Sequence, residues 1–261
     1  MAQALGIDIG GTGIKGALVD TVTGELLTER LKLNTPEGGE PKPIADTVVE
    51  LVKQLGGVPD GVPVGVCFPA IVKAGRTLSA ANVSKKWIGF EAEALFEKAL
   101  GRDIHFVNDA DAAGYAEVRY GAAKGVPGLV LLTTLGTGIG TALIYNGVLV
   151  PNTELGHLQL HGKDAEKRAA YSAKEKNDLS WKAWAANLQE YYTHLELLFS
   201  PDLFIVGGGV SKNFEDFIPL LDLKTPIVPA VHKNNAGILG AAALATEPVA
   251  TVVPQPTATP V

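Results

Sequence analysis

The sequence predicts an α/β protein built from two lobes of similar design around a central cleft. Strand-like apolar runs and amphipathic helical segments are mixed along the chain, and two glycine-rich turns each lie between a pair of apolar runs. These two regions repeat one another: residues 11–19 (GTGIKGALV) and 136–144 (GTGIGTALI) are identical at six of nine positions. The repeated strand–turn–strand unit indicates that each half of the chain presents a backbone-rich turn to a shared cleft.

Hydrophobic spacing predicts the individual elements. Short apolar runs bounded by turn residues are typical of strands, and apolar residues three or four positions apart indicate helices. The expected strands cover residues 5–9, 14–19, about 25–32, 64–68, 104–107, 129–134, 139–145 and 203–206. The expected helices cover residues 43–55, 91–100, about 108–120, about 179–199 and 236–245.

Composition limits the classes of function. The chain has 261 residues, of which 46% are hydrophobic, and this is enough for one large core or two smaller ones. A net charge of −6 provides no basic surface for nucleic acid, so nucleic acid is not an expected partner. Residues 125–153 carry no charge, but glycine and threonine interrupt them too often for a membrane span. The N-terminus resembles no targeting segment, and we expect a cytoplasmic protein without a membrane partner.

The first glycine turn has the chemistry of a phosphate site. Gly10, Gly11 and Gly13 carry no side chains, and successive N–H groups in such a turn form a concavity that binds anions. Asp8 would repel a phosphate unless Mg²⁺ lies between them. The same stretch fits the dinucleotide pattern GxGxxG, but a strand is expected after it instead of a helix, which argues against a nicotinamide cofactor.

Asp109 is the candidate catalytic base. It follows Asn108 at the junction of an expected strand and helix, where an aspartate is commonly an N-cap. The carboxyl end of a strand in an α/β fold is also where ligands bind, and a carboxylate there can accept a proton from an attacking alcohol. The local sequence leaves both alternatives open.

Glu154 and His157 form a third candidate site directly after the second hairpin. A turn at Gly156 would let both side chains converge on one ligand, and both are good partners for sugar hydroxyls. A metal pair is an alternative, although one Glu and one His leave a zinc shell incomplete, and a structural histidine is another. The glycines at 207–209 give a flat or charged ligand access to the main chain, or form a plain turn.

These motifs, taken in order, resemble the ROK family of sugar kinases and repressors, which has the two-lobed actin-like ATPase (ribonuclease H-like) fold with duplicated mixed sheets and a central cleft. Residues 8–12 and 135–140 resemble the two phosphate motifs, and residues 206–209 resemble the adenosine motif. Residues 108–111 and 237–242 resemble the two connecting segments. Each motif alone is weak, but the five in this order make a strong match over residues 5–245.

The resemblance implies roles for individual residues. Asp109 would be the base. The implied sugar-binding residues are Asn82, Asn108, Asp109, Glu154, His157 and Glu166; the phosphate-binding residues are Asp8, Gly10, Gly11, Thr12, Gly13, Lys15, Thr137 and Gly138; the nucleotide-binding residues are Gly207, Gly208 and Gly209. Asp8 would hold Mg²⁺, through water. Many family members bind structural zinc with a cysteine cluster after the ExGH motif, and since no cysteine lies between His157 and Trp181, we expect no zinc site.

Three segments, residues 82–87, 162–166 and 171–177, resemble the polyphosphate-dependent glucokinases of the family. Basic residues crowd this part of an acidic chain, and a polyanionic donor needs such a track. The residues concerned are Lys163, Lys167, Arg168, Lys174, Lys176 and Lys182. Interleaved acidic residues leave a solvated helix face as the alternative. We expect a kinase that forms glucose 6-phosphate from glucose with polyphosphate, ATP or both.

Two other functions remain open. One is a kinase that uses ATP alone to phosphorylate mannose, fructose or an N-acetylhexosamine. The other is a non-catalytic sugar-sensing protein of the family; a repressor would need a DNA-reading module, and we expect none ahead of Leu5. The resemblance suggests a homodimer. We expect a small lobe of residues 1–107 completed by 236–247, a large lobe of residues 108–235, and a flexible Pro/Thr-rich tail over 248–261.

Overall fold

Two five-stranded mixed sheets with the same strand order form the frame of the computed structural model, which describes residues 2–247. The strands are β1 (Gln3–Ile9), β2 (Gly13–Asp20), β3 (Leu31–Asn34), β4 (Val64–Phe68), β5 (Val72–Lys73), β6 (Arg76–Thr77), β7 (Phe90–Glu91), β8 (His105–Asn108), β9 (Leu129–Leu135), β10 (Ile139–Tyr145), β11 (Val148–Val150), β12 (Gln159–Leu160), β13 (Lys163–Asp164), β14 (Leu203–Gly207) and β15 (Ile227–Pro229).

The first sheet has the order β3-β2-β1-β4-β8, and the second has the order β11-β10-β9-β14-β15. In each sheet the first three strands are antiparallel, and two further strands join in parallel. The repeated sequences are the two hairpins β1–β2 and β9–β10, which occupy the same place in the two sheets. The predicted α/β class with duplicated mixed sheets is therefore confirmed.

Local sequence explains how several of the helices begin and end. The helices are α1 (Pro41–Gln54), α2 (Ala92–Leu100), α3 (Asp109–Tyr120), α4 (Glu166–Ala169), α5 (Tyr171–Lys176), α6 (Trp181–Phe199), α7 (Phe214–Phe217) and α8 (Ala236–Leu244). α1 begins with a proline, α2 ends at the left-handed Gly101, and Ser180 caps α6 by accepting the N–H of Ala183. No helix within residues 2–247 has the length and apolar character that crossing a bilayer requires.

Each sheet has its own hydrophobic core on its outer side. α1 and α2 pack on the first sheet around the fully buried Phe68, Trp87 and Phe96, and α6 packs on the second around Trp184 and Phe204. Between the sheets lie two helices that contact each other: α8 packs on β1 and β4, and α3 packs on β9 and β10. The two halves of the molecule therefore meet through the α3–α8 pair.

Glycines allow α8 to approach its neighbours at backbone distance. A Cβ atom at Gly6 of β1 or Gly65 of β4 would overlap a carbonyl oxygen of α8, that of Ile238 or Ala241. A Cβ atom at Gly240 of α8 would overlap the carbonyl oxygen of Ala112 in α3. Because each obstacle is main chain and cannot rotate away, these sites require glycine.

The prediction misplaces one strand and leaves out several short elements, among them β11, β15, α4 and α5. The third strand was expected near residues 25–32, and that position is wrong: β3 begins at Leu31. The hydroxyl of Thr28 accepts the N–H of Leu18, so a side chain takes the place of a ladder carbonyl and the preceding segment makes only an isolated bridge, Val19 to Leu26. A small sheet of β5, β6 and β7 was not expected.

The lobe boundaries at 107/108 and 235/236 stay a prediction, and the predicted tail lies outside the described residues.

Substitution of the packing glycines tests this arrangement. We expect Gly65→Ala and Gly240→Ala each to lower the free energy of unfolding by roughly 1–3 kcal/mol, because the added methyl group forces backbones apart. Gly209→Ala is the control, since its methyl group would meet no heavy atom within 4 Å. Guanidinium unfolding monitored by circular dichroism measures all three. Equal stability of Gly240→Ala and Gly209→Ala would contradict the close α3–α8 contact.

Candidate active site

A cleft of about 600 Å³ opens between the two sheets. Its walls are the segments that follow β4 and β8 of the first sheet and the β9–β10 turn of the second, together with the chain after β11. The predicted site residues that line it are Asn82, Asn108, Asp109, Thr137, Gly138, Glu154, His157, Glu166, Lys167 and Gly208. The proposed sugar residues, drawn from four separate parts of the chain, are thus all brought to one cavity.

Asp109 lies at the start of α3, and Asn108 caps that helix. The Asn108 side-chain oxygen accepts the N–H groups of Ala110 (2.8 Å) and Asp111 (3.0 Å), while its amide donates to the Ala70 carbonyl (3.0 Å). The N-cap role that an aspartate could have filled therefore belongs to Asn108. Among residues 2–247 the Asp109 carboxylate takes part in one hydrogen bond, from the Ala110 N–H at 2.8 Å, and it lines the cleft.

Burial and, after it, the nearby carboxylate of Asp8 raise the pKa of Asp109, and the Ala110 N–H acts in the opposite direction; the resulting pKa is about 7. A carboxyl group with a pKa near neutrality can both accept and release a proton at physiological pH. Strongly perturbed acids in clefts are candidates for catalytic groups. Asp109 therefore has both the position and the proton affinity of a general base.

Asp8 lies at the end of β1 and contacts Lys15 and Cys67. Its carboxylate accepts an ion-paired hydrogen bond from Lys15 at 2.9 Å, and the thiol of Cys67 lies 3.6 Å from its other oxygen. Gly237 at the start of α8 allows this arrangement, since a Cβ there would lie 2.9 Å from the Asp8 carboxyl carbon. Burial, followed by the charges of Asp8 and Asp109, raises the pKa of the Cys67 thiol, so the cysteine stays protonated.

The first glycine turn closes tightly beside the cleft. Gly10 donates its N–H to the Gly13 carbonyl at 3.0 Å, and the Thr35 hydroxyl donates to the Gly10 carbonyl at 2.5 Å. A Cβ at Gly11 would lie 2.8 Å from Asn82, which adopts a left-handed conformation (φ 59°). Thr12 at the tip is exposed. The turn therefore touches the cleft through Asn82, although its own residues do not line the cavity.

The second glycine turn is fixed by two residues that follow it in the chain. Gly136 donates to the Gly138 carbonyl at 3.0 Å, the same closure as in the first turn. Ser172 of α5 donates its N–H to the Gly136 carbonyl and its hydroxyl to the Thr137 carbonyl. Glu166 accepts the N–H of Ile139 at 3.3 Å, and a Cβ at Gly138 would lie 2.5 Å from one of its oxygens, so this acid holds the end of the turn.

Glu154 and His157 converge as expected and are joined by a third group. The His157 Nε2 lies 4.0 Å from a Glu154 oxygen, and its Nδ1 lies 3.1 Å from a carboxylate oxygen of Asp164. The ligand atoms of His157, Asp164 and Glu166 all lie within 4.8 Å of one another, a spacing that one cation can span. The expected absence of zinc therefore stays a prediction, which rests on the missing cysteines.

Of the three glycines proposed for the nucleotide, Gly208 has a structural requirement. Its φ is 82°, and a Cβ there would lie 2.5 Å from the Leu135 carbonyl oxygen beside the second turn. Gly207 meets nothing closer than 3.5 Å, and Gly209 meets nothing within 4 Å. Gly208 lines the cleft, so the segment after β14 reaches the same cavity.

The basic residues predicted as a polyphosphate track differ in their surroundings, and the track stays a prediction. Lys167 borders the cleft and binds Glu166 at 3.0 Å, which raises the lysine pKa. Arg168 pairs with Glu190 and Asn187 of α6, and Lys174 lies 4.3 Å from the centre of the Trp181 ring. The other three, Lys163, Lys176 and Lys182, are exposed. Of the six, Lys167 is the one that reaches the cavity.

Sequence patterns missed a second cation beside the first turn. Lys32 of β3 lies directly opposite Lys15 of β2, and its side chain crosses Gly13 so closely that a Cβ there would overlap it. Like charges opposite each other on adjacent strands repel, and a bound anion would relieve that repulsion. The strand register that pairs the lysines was the missing information, since β3 was predicted several residues too early.

Comparison with known proteins agrees with this architecture. A model of the ROK family matches residues 4–173. A polyphosphate glucokinase of Mycobacterium tuberculosis (strain CDC 1551 / Oshkosh) is 50% identical over 241 residues, which are 92% of this chain and 90% of that protein. A glucokinase of Streptomyces coelicolor is 24% identical, over 95% of this chain and 99% of that protein.

Solved structures share the fold. The inorganic polyphosphate/ATP-glucomannokinase from Arthrobacter sp. strain KM superposes with a TM-score of 0.88 at 52% identity, covering 92% of this chain and 97% of that one. A ROK family glucokinase from Streptomyces griseus superposes with a TM-score of 0.75 at 24% identity, covering 93% and 98%. The family model covers most of the chain and the relatives nearly all of it, so the chain belongs to the ROK family.

Proposed function

We propose that this chain is a phosphotransferase that forms glucose 6-phosphate from glucose, with inorganic polyphosphate, ATP or both as donor. The observation that carries the proposal is the Asp109 carboxylate, whose pKa is raised to about 7, in a cleft bordered by a glycine turn. The names of its relatives in Mycobacterium and Arthrobacter, at 50% and 52% identity, support the same acceptor and donors.

In this proposal the sugar lies along the wall formed by five side chains. Asn82, Asn108, Glu154, His157 and Glu166 line the cavity around Asp109 and can bind hydroxyl groups. Asn108 has limited capacity, because capping α3 uses its oxygen and the Ala70 carbonyl takes one amide hydrogen. A second amide hydrogen remains for the sugar. The carboxylates of Glu154 and Glu166 can accept hydrogen bonds from sugar hydroxyls, since neither side chain caps a helix.

Asp109 accepts the proton of the sugar's primary hydroxyl as the oxygen attacks the terminal phosphorus of the donor. The leaving group, which is ADP or a polyphosphate chain shortened by one unit, carries away the electron pair of the broken P–O bond. Phosphoryl transfer depends mainly on positioning the reactants and stabilising charge. In this proposal the N–H groups of the two turns stabilise the charge on the transferring phosphoryl group. The second turn lines the same cavity as Asp109, which supports an in-line approach of donor and acceptor.

The donor would lie across the two turns. Gly10, Gly11, Thr12 and Gly13 of the first turn and Thr137 and Gly138 of the second are the proposed phosphate contacts, with Gly207, Gly208 and Gly209 near the base of a nucleotide donor. A long polyphosphate chain would continue past Lys15 and Lys32. Lys167 gives a further contact at the opposite rim, and the other members of the predicted track stay a proposal.

Magnesium fits the acidic residues beside the first turn. Carboxylate oxygens are the ligands that this hard cation prefers, and Asp8 offers an oxygen that Lys15 does not hold. The charge of Asp8 also raises the pKa of Asp109, and a cation would offset that repulsion. When bound, the ion would neutralise charge on the donor phosphates. We propose that Asp8 holds it through water.

Location and assembly are part of the proposal. A cytoplasmic location suits an enzyme that uses ATP, which is a cytoplasmic metabolite. A homodimer rests on the family resemblance. Two rival functions are ATP-only phosphorylation of another hexose and sugar sensing without catalysis. Measuring sugar phosphate formation distinguishes them from the proposed function.

An assay of sugar phosphate formation tests the proposal. Glucose, mannose, fructose and N-acetylglucosamine are each supplied with ATP and with polyphosphate, and we expect turnover of glucose with polyphosphate. Turnover of a different sugar with ATP alone would favour the first rival, and no turnover with any pair would favour the second.

Lys32→Ala should raise the KM for polyphosphate at least about threefold at low salt, since a phosphate contact is lost. Lys53→Ala, on the exposed end of α1, is the matched control for charge.

Asp109→Asn removes the base while keeping the size of the side chain. We expect kcat to fall by about 10² to 10⁴, the contribution of a positioned base, with the circular dichroism spectrum and the unfolding midpoint close to those of the unaltered protein. The helix start is retained because Asn108, and not Asp109, caps α3. A variant that keeps more than about a tenth of the activity would show that another group accepts the proton.

The activity should depend on the protonation of Asp109. Below about pH 7 its carboxyl is increasingly protonated and cannot accept a proton, so kcat/KM should rise with pH through about 7 and level off above it. Asp111 has a pKa raised to about 7 as well, so Asp111→Asn is the control. The rise must persist in that variant, and its loss would assign the pH dependence to Asp111.

A further inference from the structure

Asn152 joins two segments that border the cleft. It lies between β11 and the short 3-10 turn Leu155–His157, two residues before Glu154, and it adopts a left-handed conformation (φ 60°). Its side-chain oxygen accepts the N–H of Val72 at 2.7 Å, and its amide donates to the Val72 carbonyl at 2.7 Å. One side chain therefore pairs with both backbone groups of a residue that is 80 positions away in the chain.

Val72 belongs to the segment that forms the opposite wall of the cleft. Ala70 and the stretch from Ser79 to Asn82 line the cavity, and β5 lies between them. The Ile71 N–H donates to the Ser79 hydroxyl at 2.8 Å, and the Leu78 N–H donates to the Ile71 carbonyl at 2.8 Å, so the two ends of this segment are joined. The pairing of Asn152 with Val72 therefore ties the wall that carries Asn82 to the loop that carries Glu154.

Asp111 holds Asn152 from inside the molecule. Its Oδ2 accepts the Asn152 N–H at 2.7 Å, and the residue, on the first turn of α3, is 1% exposed. Its Oδ1 is buried and has no hydrogen-bond partner among the described residues. Burial raises the pKa of this carboxyl to about 7. A buried acid with one unsatisfied oxygen destabilises the fold, so its presence calls for a function.

We propose that Asp111 is a positioning residue for the acceptor sugar, which acts through Asn152. The relay from Asp111 to Asn152 to Val72 starts two residues from Asp109, on the same helix turn, and ends on the far wall of the cleft. It therefore fixes the walls around the sugar relative to the base. This inference rests on the proposed function, and it names residues that touch neither substrate.

Among the described residues, none of Asp111, Asn152 and Val72 hydrogen-bonds to a donor turn. Asn82 packs against Gly11, but the first turn is closed by its own hydrogen bond from Gly10 to Gly13 and is held by Thr35, and the second turn is held by Ser172 and Glu166. Loosening the relay should therefore disturb the acceptor side of the cleft more than the donor side. General destabilisation of the fold would affect both sides equally.

Steady-state kinetics of three full-length variants test the relay. Asn152→Gly keeps the left-handed backbone and removes the pair with Val72, and Asp111→Ala removes the acceptor of the Asn152 N–H. Each should raise the KM for glucose about tenfold, an effect within the range of one or two lost hydrogen bonds, with the KM for the donor within about twofold of the starting protein. Asp111→Asn retains an acceptor oxygen and should restore the KM for glucose to within about twofold.

Tyr120→Phe is the matched control. It removes a hydrogen bond from the Tyr120 hydroxyl to the Thr21 carbonyl (2.8 Å), which also joins the two halves of the chain but away from the cleft. Its KM for glucose should not change. An equal rise of both KM values in Asn152→Gly, or no rise in that variant, would overturn the proposal even if Asp111→Ala fails to fold.

Hydrogen–deuterium exchange separates this inference from the proposed function. In Asn152→Gly without substrate, peptides covering residues 70–82 and 151–157 should exchange faster than in the unaltered protein, while peptides covering 8–16 should not change. If the unaltered protein phosphorylates no sugar, the proposed function fails and the exchange still decides whether the relay holds the walls. Unchanged exchange in both wall peptides would overturn the relay.

Discussion

The side-chain oxygen of Asn108 accepts the first free N–H groups of α3, and the position of Asp109 depends on that capping interaction. An uncapped helix start would compete for the nearest carboxylate, which is that of Asp109. Asn108 accepts these N–H groups and also donates to the Ala70 carbonyl. The Asp109 carboxylate therefore remains in the cleft, where its one hydrogen bond among the described residues comes from a backbone N–H. Burial beside Asp8 then gives it a pKa near neutrality.

The same helix connects the chemistry to the frame of the molecule. α3 follows β8 of the first sheet, packs on β9 and β10 of the second, and meets α8 at backbone distance through Gly240. Such a close contact leaves little freedom for side-chain rearrangement between the helices. Asp109 and the two glycine turns thus lie on elements that are joined by close packing, whereas the walls around the sugar depend on longer loops and on the proposed relay through Asn152.

Patterns within short stretches of sequence predicted the repeated hairpins, the class of fold and the acid at the start of α3, because hydrophobic spacing and glycine turns are local properties. Contacts between distant segments could not be predicted in this way. Asp164 joins His157, Ser172 holds the second turn, and Lys32 faces Lys15, each through tertiary structure or strand register. The crowded basic residues at 163–182 show the limit most clearly, since density of charge along the chain does not determine which side chains reach the cleft.

If Asp109 is the base, its carboxylate must face the hydroxyl that receives the phosphoryl group. A crystal structure of the protein with glucose decides whether it does. We expect the primary hydroxyl oxygen within about 2.6–3.2 Å of an Asp109 carboxylate oxygen, with ring hydroxyls on Glu154, His157 and Glu166. Glucose bound in the cleft with its primary hydroxyl turned away from Asp109, or bound outside the cleft, would show that Asp109 is not the base.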